Sequence, residues 1–267
     1  MDNEKFDRIK GAVYGFAIGD AMGATTEFMT KEQIANKFGK VTDIIGGGWL
    51  NLKPGQITDD TQMTLCVMDA IMAADESTYE FRSECTKNFI EWYESNPPDV
   101  GNQCAMGIID LMQGCLPHET IRAGNGSLMR ALPCALINKP YWNEIQGKLT
   151  HNNALCSDLI QNYTRLIRNL LRGKYTFVKR SLLEPSGFIL NTYNNALYWH
   201  DKESFEDAIV GAVNHGGDAD TIAAIAGSLA GARFGYNAIP ERWIDQLDFD
   251  VKDKLDEFID YCGRRFC

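Results

Sequence analysis

Gly11-Ala12-Val13-Tyr14-Gly15-Phe16-Ala17-Ile18-Gly19-Asp20-Ala21-Met22-Gly23 is the stretch that decides the fold. Its glycines recur every four residues, and the same period returns in Ala219, Ala223, Gly227, Gly231 and Gly235. On a helix this spacing lines up a ridge without side chains. Because each helical glycine costs about 1 kcal/mol relative to alanine, the ridges predict a compensating gain from close packing of two helices. If the two helices abut, the acidic residues at their ends come near each other. Those residues are Asp20, Glu27, Asp218 and Asp220.

Apolar residues at spacings of three and four continue through most of the chain. They predict helices over residues 4–22, 59–74, 79–95, 101–113, 127–138, 152–171, 188–200, 204–213, 219–235 and 251–264. Pro133 is expected to kink the helix of 127–138 or to keep its first turn irregular. No convincing series of strands is visible, and no linker or low-complexity tract divides the chain. We therefore predict an all-α fold with one domain over residues 1–267.

The composition narrows the class of protein. Hydrophobic residues are 45% and charged residues 23% of the chain, which is ordinary for a globular protein and excludes disorder. The net charge of -10 argues against a nucleic-acid partner. The N-terminus has no signal-peptide pattern, and the longest apolar run, residues 222–232, is too short to span a membrane. The eight cysteines lack zinc-type spacing and are expected to be buried free thiols. A cytoplasmic monomer is expected, with the five tryptophans in its core.

The first candidate site is an acidic turn, Thr58-Asp59-Asp60-Thr61, at the start of a predicted helix. An N-cap explains one of its acidic residues, because carboxylates stabilise a helix N-terminus. The second adjacent carboxylate adds repulsion that a bound cation would relieve. The turn therefore suits either a capped helix or a metal site.

A second acidic turn, Asp218-Ala219-Asp220-Thr221, follows Gly216-Gly217 and opens another predicted helix. Again a cap explains one carboxylate and leaves the other without a role. Both turns offer only oxygen donors, which Mg²⁺, Mn²⁺ and Ca²⁺ prefer and zinc does not. We therefore predict that the two turns, distant in sequence, converge to share a pair of hard cations.

A glycine-rich segment, Gly124-Asn125-Gly126-Ser127-Leu128-Met129-Arg130, is the third candidate site. It suits a tight turn in which Ser127 caps a helix, or a cradle whose backbone amides bind phosphate. It is neither a Walker motif nor a dinucleotide-binding fingerprint. His151 precedes a predicted helix, where a capping or solvated role is more common than a catalytic one.

In order along the chain, these motifs resemble the ADP-ribosylglycohydrolase family, of the type that includes the dinitrogenase-reductase-activating glycohydrolase. The stretches that carry the resemblance are residues 11–23 with Glu27, residues 54–63, Gly124 to Arg130, Thr150-His151, residues 217–235 and residues 239–243. The sequence departs from the family pattern at Asn152-Asn153-Ala154, where an acidic residue and a proline are more usual. The resemblance covers nearly the whole chain.

The resemblance implies a compact orthogonal helical domain that holds two Mg²⁺ or Mn²⁺ ions and hydrolyses the bond between ADP-ribose and a modified acceptor. The implied metal ligands are Thr58, Asp59, Asp60, Asp218, Asp220 and Thr221. The implied substrate-binding residues are Gly124, Asn125, Gly126, Ser127, Met129 and His151. Glu27, Asp59 and Asp60 are the implied catalytic carboxylates, and which of them is the base stays open.

Arginine, serine, a nucleic-acid end or a small molecule could each carry the ADP-ribose, and an arginine of an ADP-ribosylated protein is the acceptor expected by analogy. Two other interpretations remain open at this point. The chain could be a non-catalytic family member that binds ADP-ribose or serves structurally, as crystallin-like relatives do. It could also be a calcium-stabilised helical protein without a substrate.

Overall fold

The computed structural model describes residues 3–265, and they form an all-α structure. The helices are α1 (Asn3–Gly23), α2 (Lys31–Phe38), α3 (Asp59–Ala73), α4 (Thr78–Glu94), α5 (Asn102–Met112), α6 (Leu132–Leu136), α7 (Pro140–Lys148), α8 (Ala154–Leu170), α9 (Ile189–His200), α10 (Phe205–Val213), α11 (Ala219–Phe234), α12 (Glu241–Gln246) and α13 (Phe249–Arg265). A single 3-10 turn, Tyr236–Ala238, follows α11. No β-strand forms within residues 3–265, although Gly47 and Leu52 make an isolated bridge. The predicted fold class is confirmed.

The helix predicted over residues 127–138 is wrong in its extent, because only α6 forms there. Pro133 occupies its first turn. A proline lacks the N–H for an intrahelical bond and its ring clashes with the preceding turn, so the helix cannot extend in the N-terminal direction. Three short helices, α2, α7 and α12, escaped prediction. In α2, Thr30 and Gln33 form a reciprocal capping box that stabilises eight residues of little apolar periodicity.

The described chain divides into two compact units. The first unit comprises residues 3–58 and 169–265, and the second comprises residues 59–168. The first unit holds α1, α2 and α9 to α13, whereas the second holds α3 to α7 and all but the last two residues of α8. The expectation of a single domain over 1–267 stays a prediction.

The first unit is built around the two glycine ridges, which face each other on α1 and α11. A Cβ atom on Gly15 would lie 2.3 Å from the carbonyl oxygen of Gly227, and one on Gly19 would lie 2.1 Å from that of Ala223. A Cβ on Gly231 would lie 2.0 Å from the carbonyl oxygen of Gly11. These distances are far below contact, so only glycine permits this approach. The prediction that the ridges pack two helices closely is confirmed.

From Ile9 of α1 and from Ala219 of α11 onward the ridge helices are largely buried, and neighbouring helices of the unit cover them. Helices α9 and α10 pack on α11, while α13 packs on α1. Arg8 of α1 donates from Nη1 to the carbonyl oxygens of Ala232 at 3.1 Å and Arg233 at 2.6 Å. A cation at the C-terminal end of α11 satisfies carbonyls that lack intrahelical partners. The α1–α11 pair is therefore fixed both along the ridge and at that end.

The second unit packs α3 on α4 and α6, and α4 on α5 and α7. Phe81 of α4 stacks on Trp142 of α7 with ring centres 4.3 Å apart. The Trp142 indole N–H donates to Thr78 Oγ1 at 2.9 Å. This contact satisfies the polar atom of a side chain that is otherwise core.

Within residues 3–265, no helix is both long enough and apolar enough to cross a membrane. Cys85, Cys104, Cys134, Cys156 and Cys262 are buried free thiols, as predicted, whereas Cys66 is partly buried and Cys115 is exposed. Cys267 lies outside the described residues.

Candidate functional site

Four acidic side chains of the first unit gather where the end of α1 meets the start of α11. Carboxylate oxygens of Glu27, Asp218 and Asp220 lie within 4.8 Å of one another, and an oxygen of Asp20 lies within 4.8 Å of one of Asp220. Asp20, Glu27 and Asp220 are buried, and Asp218 is partly exposed. We call these four residues the acidic cluster. Carboxylates gathered out of water repel one another unless a cation or a proton compensates the charge, so the cluster suits a hard divalent cation.

A glycine turn positions the two aspartates at the start of α11. Gly216 and Gly217 adopt φ angles of 79° and 66°. A Cβ on Gly216 would lie 2.2 Å from the carbonyl oxygen of Met29, and one on Gly217 would lie 2.0 Å from that of Pro185. The backbone of Gly217 also pairs with the segment after α1, since Phe28 N–H donates to Gly217 O at 2.7 Å and Gly217 N–H donates to Met29 O at 2.9 Å. The turn is therefore held against the segment that carries Glu27.

Asp218 occupies the N-cap position of α11, yet its side chain makes no capping hydrogen bond. Its carboxylate instead accepts long hydrogen bonds from the hydroxyls of Thr221 at 3.3 Å and Thr192 at 3.4 Å. Asp220 accepts the backbone N–H of Thr221 at 2.9 Å. The Asp218 side chain therefore does not cap α11, so capping no longer explains why an aspartate stands at this position.

Thr58 is tied to the acidic cluster within the first unit. Its hydroxyl donates to Asp20 Oδ1 at 2.7 Å, and its backbone N–H donates to the same oxygen at 3.1 Å. Both residues are buried. Asp20 therefore fixes the position of the residue that precedes Asp59 in the chain.

Asp59 and Asp60 begin α3 in the second unit and are both buried. Asp99 adds a third carboxyl group, because it shares a hydrogen bond with Asp59. Burial raises the pKa of Asp99, against the lowering effects of the Val100 N–H and of the bond to Asp59. Sequence reasoning missed Asp99, which stands in a loop with no acidic pattern. The convergence of Asp59 and Asp60 with the aspartates of α11 stays a prediction.

The glycine-rich segment of the second unit forms a tight turn. The N–H groups of Leu128 and Met129 both donate to the carbonyl oxygen of Asn125, at 2.7 and 3.1 Å. The Gly124 N–H donates to Gln103 Oε1 at 3.0 Å. Two amides of the segment are thus engaged inside the turn and a third by the Gln103 side chain of α5, which limits a phosphate cradle to the groups that remain. Ser127 opens no helix, since α6 begins only at Leu132.

His151 packs directly against this turn. A Cβ on Gly126 would lie 2.8 Å from His151 Cε1 and 2.6 Å from Cys104 Sγ, and one on Gly124 would lie 3.3 Å from His151 Nε2. A side chain at Gly126 would therefore displace the imidazole or the thiol. The structure brings together the turn and the histidine, which are about one tenth of the chain apart in sequence.

The protonation of His151 is set by a buried network. Arg130, fully buried, donates from Nη2 to Thr150 Oγ1 at 2.6 Å and from Nε to Gln146 Oε1 at 2.7 Å. Thr150 Oγ1 also lies 2.7 Å from His151 Nδ1. Since a guanidinium cannot accept a hydrogen bond, the only acceptor for the Thr150 hydroxyl hydrogen among the described contacts is His151 Nδ1. This arrangement leaves the imidazole proton on Nε2, the nitrogen beside Gly124.

Electrostatics agree with this assignment. Burial lowers the pKa of His151 well below its usual value, and the positive charge of Arg130 lowers it further. The imidazole is therefore neutral near pH 7, with a single N–H. Sequence reasoning did not identify Arg130 or Thr150 as members of this network, because a buried arginine cannot be recognised from an apolar helical pattern.

A family model described as ADP-ribosylglycohydrolase matches residues 1–185 and 176–266. The chain belongs to the ADP-ribosylglycohydrolase family. It is 37% identical to the ADP-ribosyl-[dinitrogen reductase] glycohydrolase of Rhodospirillum rubrum, over 95% of each chain. It is 31% identical to the ADP-ribosylarginine hydrolase Tri1 of Serratia proteamaculans (strain 568), over 92% of this chain and 76% of that one.

Solved structures agree with this membership in the ADP-ribosylglycohydrolase family. A chain of an ADP-ribosylglycohydrolase-related protein complex superposes with a TM-score of 0.82 and 27% sequence identity. The match covers 96% of this chain and 97% of the other. The family supports hydrolysis of a glycosidic bond to ADP-ribose as the activity of this chain. The family and the helical fold implied by the sequence motifs are confirmed.

The prediction that Trp49 lies in the core is wrong. Trp49 is 46% exposed, whereas Trp142 and Trp243 are buried as predicted. The Trp49 indole N–H donates to Glu27 Oε2 at 2.6 Å. Trp49 follows Gly46-Gly47-Gly48 in a loop and belongs to no apolar helical stripe. Its position after three glycines was the feature of the sequence that could have indicated its exposure.

Proposed function

We propose that this chain hydrolyses the bond between ADP-ribose and an arginine side chain of a modified protein, with two Mg²⁺ or Mn²⁺ ions as cofactors. The acidic cluster carries the proposal, because three of its carboxylates lie within 4.8 Å of one another around a glycine turn. The arginine acceptor draws support from the relatives in Serratia proteamaculans and Pseudomonas putida, both named ADP-ribosylarginine hydrolases.

The donor set fits hard divalent cations. The four side chains of the acidic cluster are carboxylates, and the hydroxyls of Thr58 and Thr221 contact Asp20 and Asp218. Oxygen ligands of this kind select Mg²⁺ or Mn²⁺ over softer metals. The ligands we propose are Thr58, Asp59, Asp60, Asp218, Asp220 and Thr221. When bound, the cations would supply Lewis-acid stabilisation and orientation of the hydroxyls of the distal ribose.

The residues of the chain would then act on the glycosidic bond through charge and position. Cleavage at the ribose C1″ passes through an oxocarbenium-like transition state, which nearby negative charge stabilises. Glu27, or one of Asp59 and Asp60, would accept the proton of the attacking water. The Trp49 indole N–H donates to Glu27 Oε2 and so orients this carboxylate, one oxygen of which lies within 4.8 Å of oxygens of Asp218 and Asp220.

The glycine-rich turn and His151 would hold the pyrophosphate of ADP-ribose. The proposed contacts are made by Gly124, Asn125, Gly126, Ser127, Met129 and His151. A neutral imidazole with its proton on Nε2 is a hydrogen-bond donor, which suits an anionic oxygen. The absence of side chains at Gly124 and Gly126 lets the imidazole of His151 pack directly against the turn, so that turn and donor would act on the same anionic group.

The test is a double substitution, Asp218→Asn with Asp220→Asn. Both changes keep the side-chain shape and remove two negative charges, so we expect the folded protein to lose Mn²⁺ binding and hydrolysis of ADP-ribosylarginine together. Calorimetry with Mn²⁺ and an assay with and without EDTA measure these effects. Turnover that persists in the double variant, or in EDTA, would refute the metal-dependent proposal. Binding of ADP-ribose by the wild-type protein without any turnover would instead establish a non-catalytic member.

A further inference from the structure

The loop that carries Glu27 exposes an aromatic pair. Phe28 is 68% exposed and Trp49 is 46% exposed, and their ring centres lie 5.5 Å apart. Two aromatic rings left in water do not contribute the free energy that their burial in the core would provide. Their exposure therefore points to a function at the surface.

Phe28 is forced outward by its backbone. Its φ angle is 60°, a left-handed conformation that a bulky residue rarely adopts. The paired hydrogen bonds of Phe28 and Met29 with Gly217 hold this conformation in place. Strain of this kind persists only where the surroundings impose it, and it concentrates at ligand-binding positions. Phe28 is therefore held out of the core by the same backbone pairing that positions Asp218.

Trp49 is fixed from the other side. Gly48, with a φ of 68°, lies so close to Ala24, the residue that follows α1, that a Cβ would lie 2.0 Å from the Ala24 carbonyl oxygen. The hydrogen bond from Nε1 to Glu27 Oε2, 2.6 Å long, then sets the plane of the indole. The two rings and the Glu27 carboxylate thus form one preorganised surface, which we call the aromatic wall.

The aromatic wall borders a cavity of about 670 Å³, a size typical of small-ligand sites. The opposite side is formed by α2, which contributes the polar side chains of Gln33, Asn36 and Lys37. The ammonium group of Lys37 lies 4.8 Å from the centre of the ring of Phe38, another residue of α2, so the positive charge belongs to the part of the cavity that α2 lines. The side of the cavity next to the acidic cluster is therefore aromatic and anionic.

We propose that the aromatic wall is the subsite for the guanidinium group of the arginine acceptor, an inference that rests on the proposed function. A guanidinium is planar, weakly hydrated and always charged, so it stacks on aromatic faces while it pairs with a carboxylate. Phe28 and Trp49 supply the faces, and Glu27 supplies the carboxylate. A small neutral acceptor such as serine would leave both rings uncovered. Phe28 and Trp49 are thus specificity-determining residues.

The first experiment compares Trp49→Leu with Phe249→Leu, a substitution of another exposed aromatic residue of the first unit, 68% exposed and outside this cavity. For an ADP-ribosylarginine peptide, loss of a cation–π contact raises KM by roughly 5- to 30-fold in Trp49→Leu. Phe249→Leu changes KM less than twofold. Trp49→Phe keeps a ring face and recovers part of the loss. A KM for Trp49→Leu within twofold of wild type overturns the subsite.

The second experiment detects binding without hydrolysis. Methylguanidine is titrated into the protein, with neutral methylurea as its isostere, and the indole N–H signal of Trp49 is followed by NMR. A saturable shift with methylguanidine alone supports the subsite, and equal responses to both compounds, or none, overturn it. This result does not depend on turnover. Failure of wild-type protein to hydrolyse ADP-ribosylarginine would therefore contradict the proposed function and remain distinguishable from failure of the subsite.

Discussion

Thr150→Val tests the buried network that sets the protonation of His151. Valine has nearly the shape of threonine, so the change removes a hydroxyl without creating a cavity. Arg130 loses a 2.6 Å hydrogen bond from Nη2, and His151 Nδ1 loses its donor at 2.7 Å. Both partners are buried. A buried polar group left unsatisfied costs about 1–3 kcal/mol, and more when it is charged, so the two together should lower the free energy of unfolding by about 3–5 kcal/mol.

The matched control is Thr150→Ser, which keeps the hydroxyl and removes a methyl group. Its cost should be about 1 kcal/mol, the value for a buried methylene or methyl group. Urea unfolding measures both variants against wild type. Equal stability of Thr150→Val and Thr150→Ser would show that the hydroxyl does not satisfy the buried arginine.

A second assay addresses the imidazole directly. Nitrogen chemical shifts of His151 distinguish a proton on Nε2 from one on Nδ1, and the network requires Nε2 in wild type and in Thr150→Ser. In Thr150→Val the preference should weaken, because nothing then donates to Nδ1. An Nδ1-protonated or doubly protonated His151 in wild type at pH 7 would refute the reasoning, whatever the stabilities.

Two further predictions concern the glycine ridge and the pH dependence of stability. Gly15→Ala places a Cβ 2.3 Å from the Gly227 carbonyl oxygen, so the free energy of unfolding should fall by about 3 kcal/mol or more in thermal unfolding. The control is Gly187→Ala, where a Cβ meets nothing within 4 Å, and its stability should be nearly that of wild type. Equal melting temperatures for the two variants would contradict the packing of the ridges. His151 stays neutral in the folded protein because its pKa is lowered, but protonates near pH 6.5 when unfolded. Its contribution is therefore present above pH 6.5 and lost below it. The stability difference between wild type and His151→Gln should shrink by about 1.4 kcal/mol from pH 7.5 to 5.5, and a pH-independent difference would contradict this.

The sequence was informative wherever a residue pattern has one physical explanation. A four-residue glycine period on two helices admits close packing and little else, and the helices meet as expected. Because the two helices meet, the acidic residues at their ends, Asp20 and Asp220, also lie close together. The Asp218 side chain was ambiguous between a cap and a ligand, since both functions use an aspartate at a helix start. The observed partners of Asp218 argue against the cap, whereas its role as a metal ligand stays a prediction.

Other features depended on contacts between distant residues. Arg130 sits in an apolar stretch, and nothing local reveals that Gln146 and Thr150 would satisfy its charge. Trp49 was expected in the core because the tryptophans were interpreted as members of the helical stripes. It is exposed instead, in a loop where Gly48 packs against Ala24 and the indole N–H donates to Glu27. The extent of α6 was overestimated because apolar periodicity continued through a proline-disrupted segment.

The backbone contact between α1 and α11 also bears on how the acidic cluster would bind the proposed cations. Two helices whose backbones are in contact at successive turns cannot shift along each other without steric overlap. The carboxylates at their ends, Asp20 and Asp220, consequently keep their spacing before any ion arrives. Little chain entropy would then be lost on binding, so the affinity for the proposed cations would reflect the chemistry of the oxygen donors rather than the assembly of their scaffold.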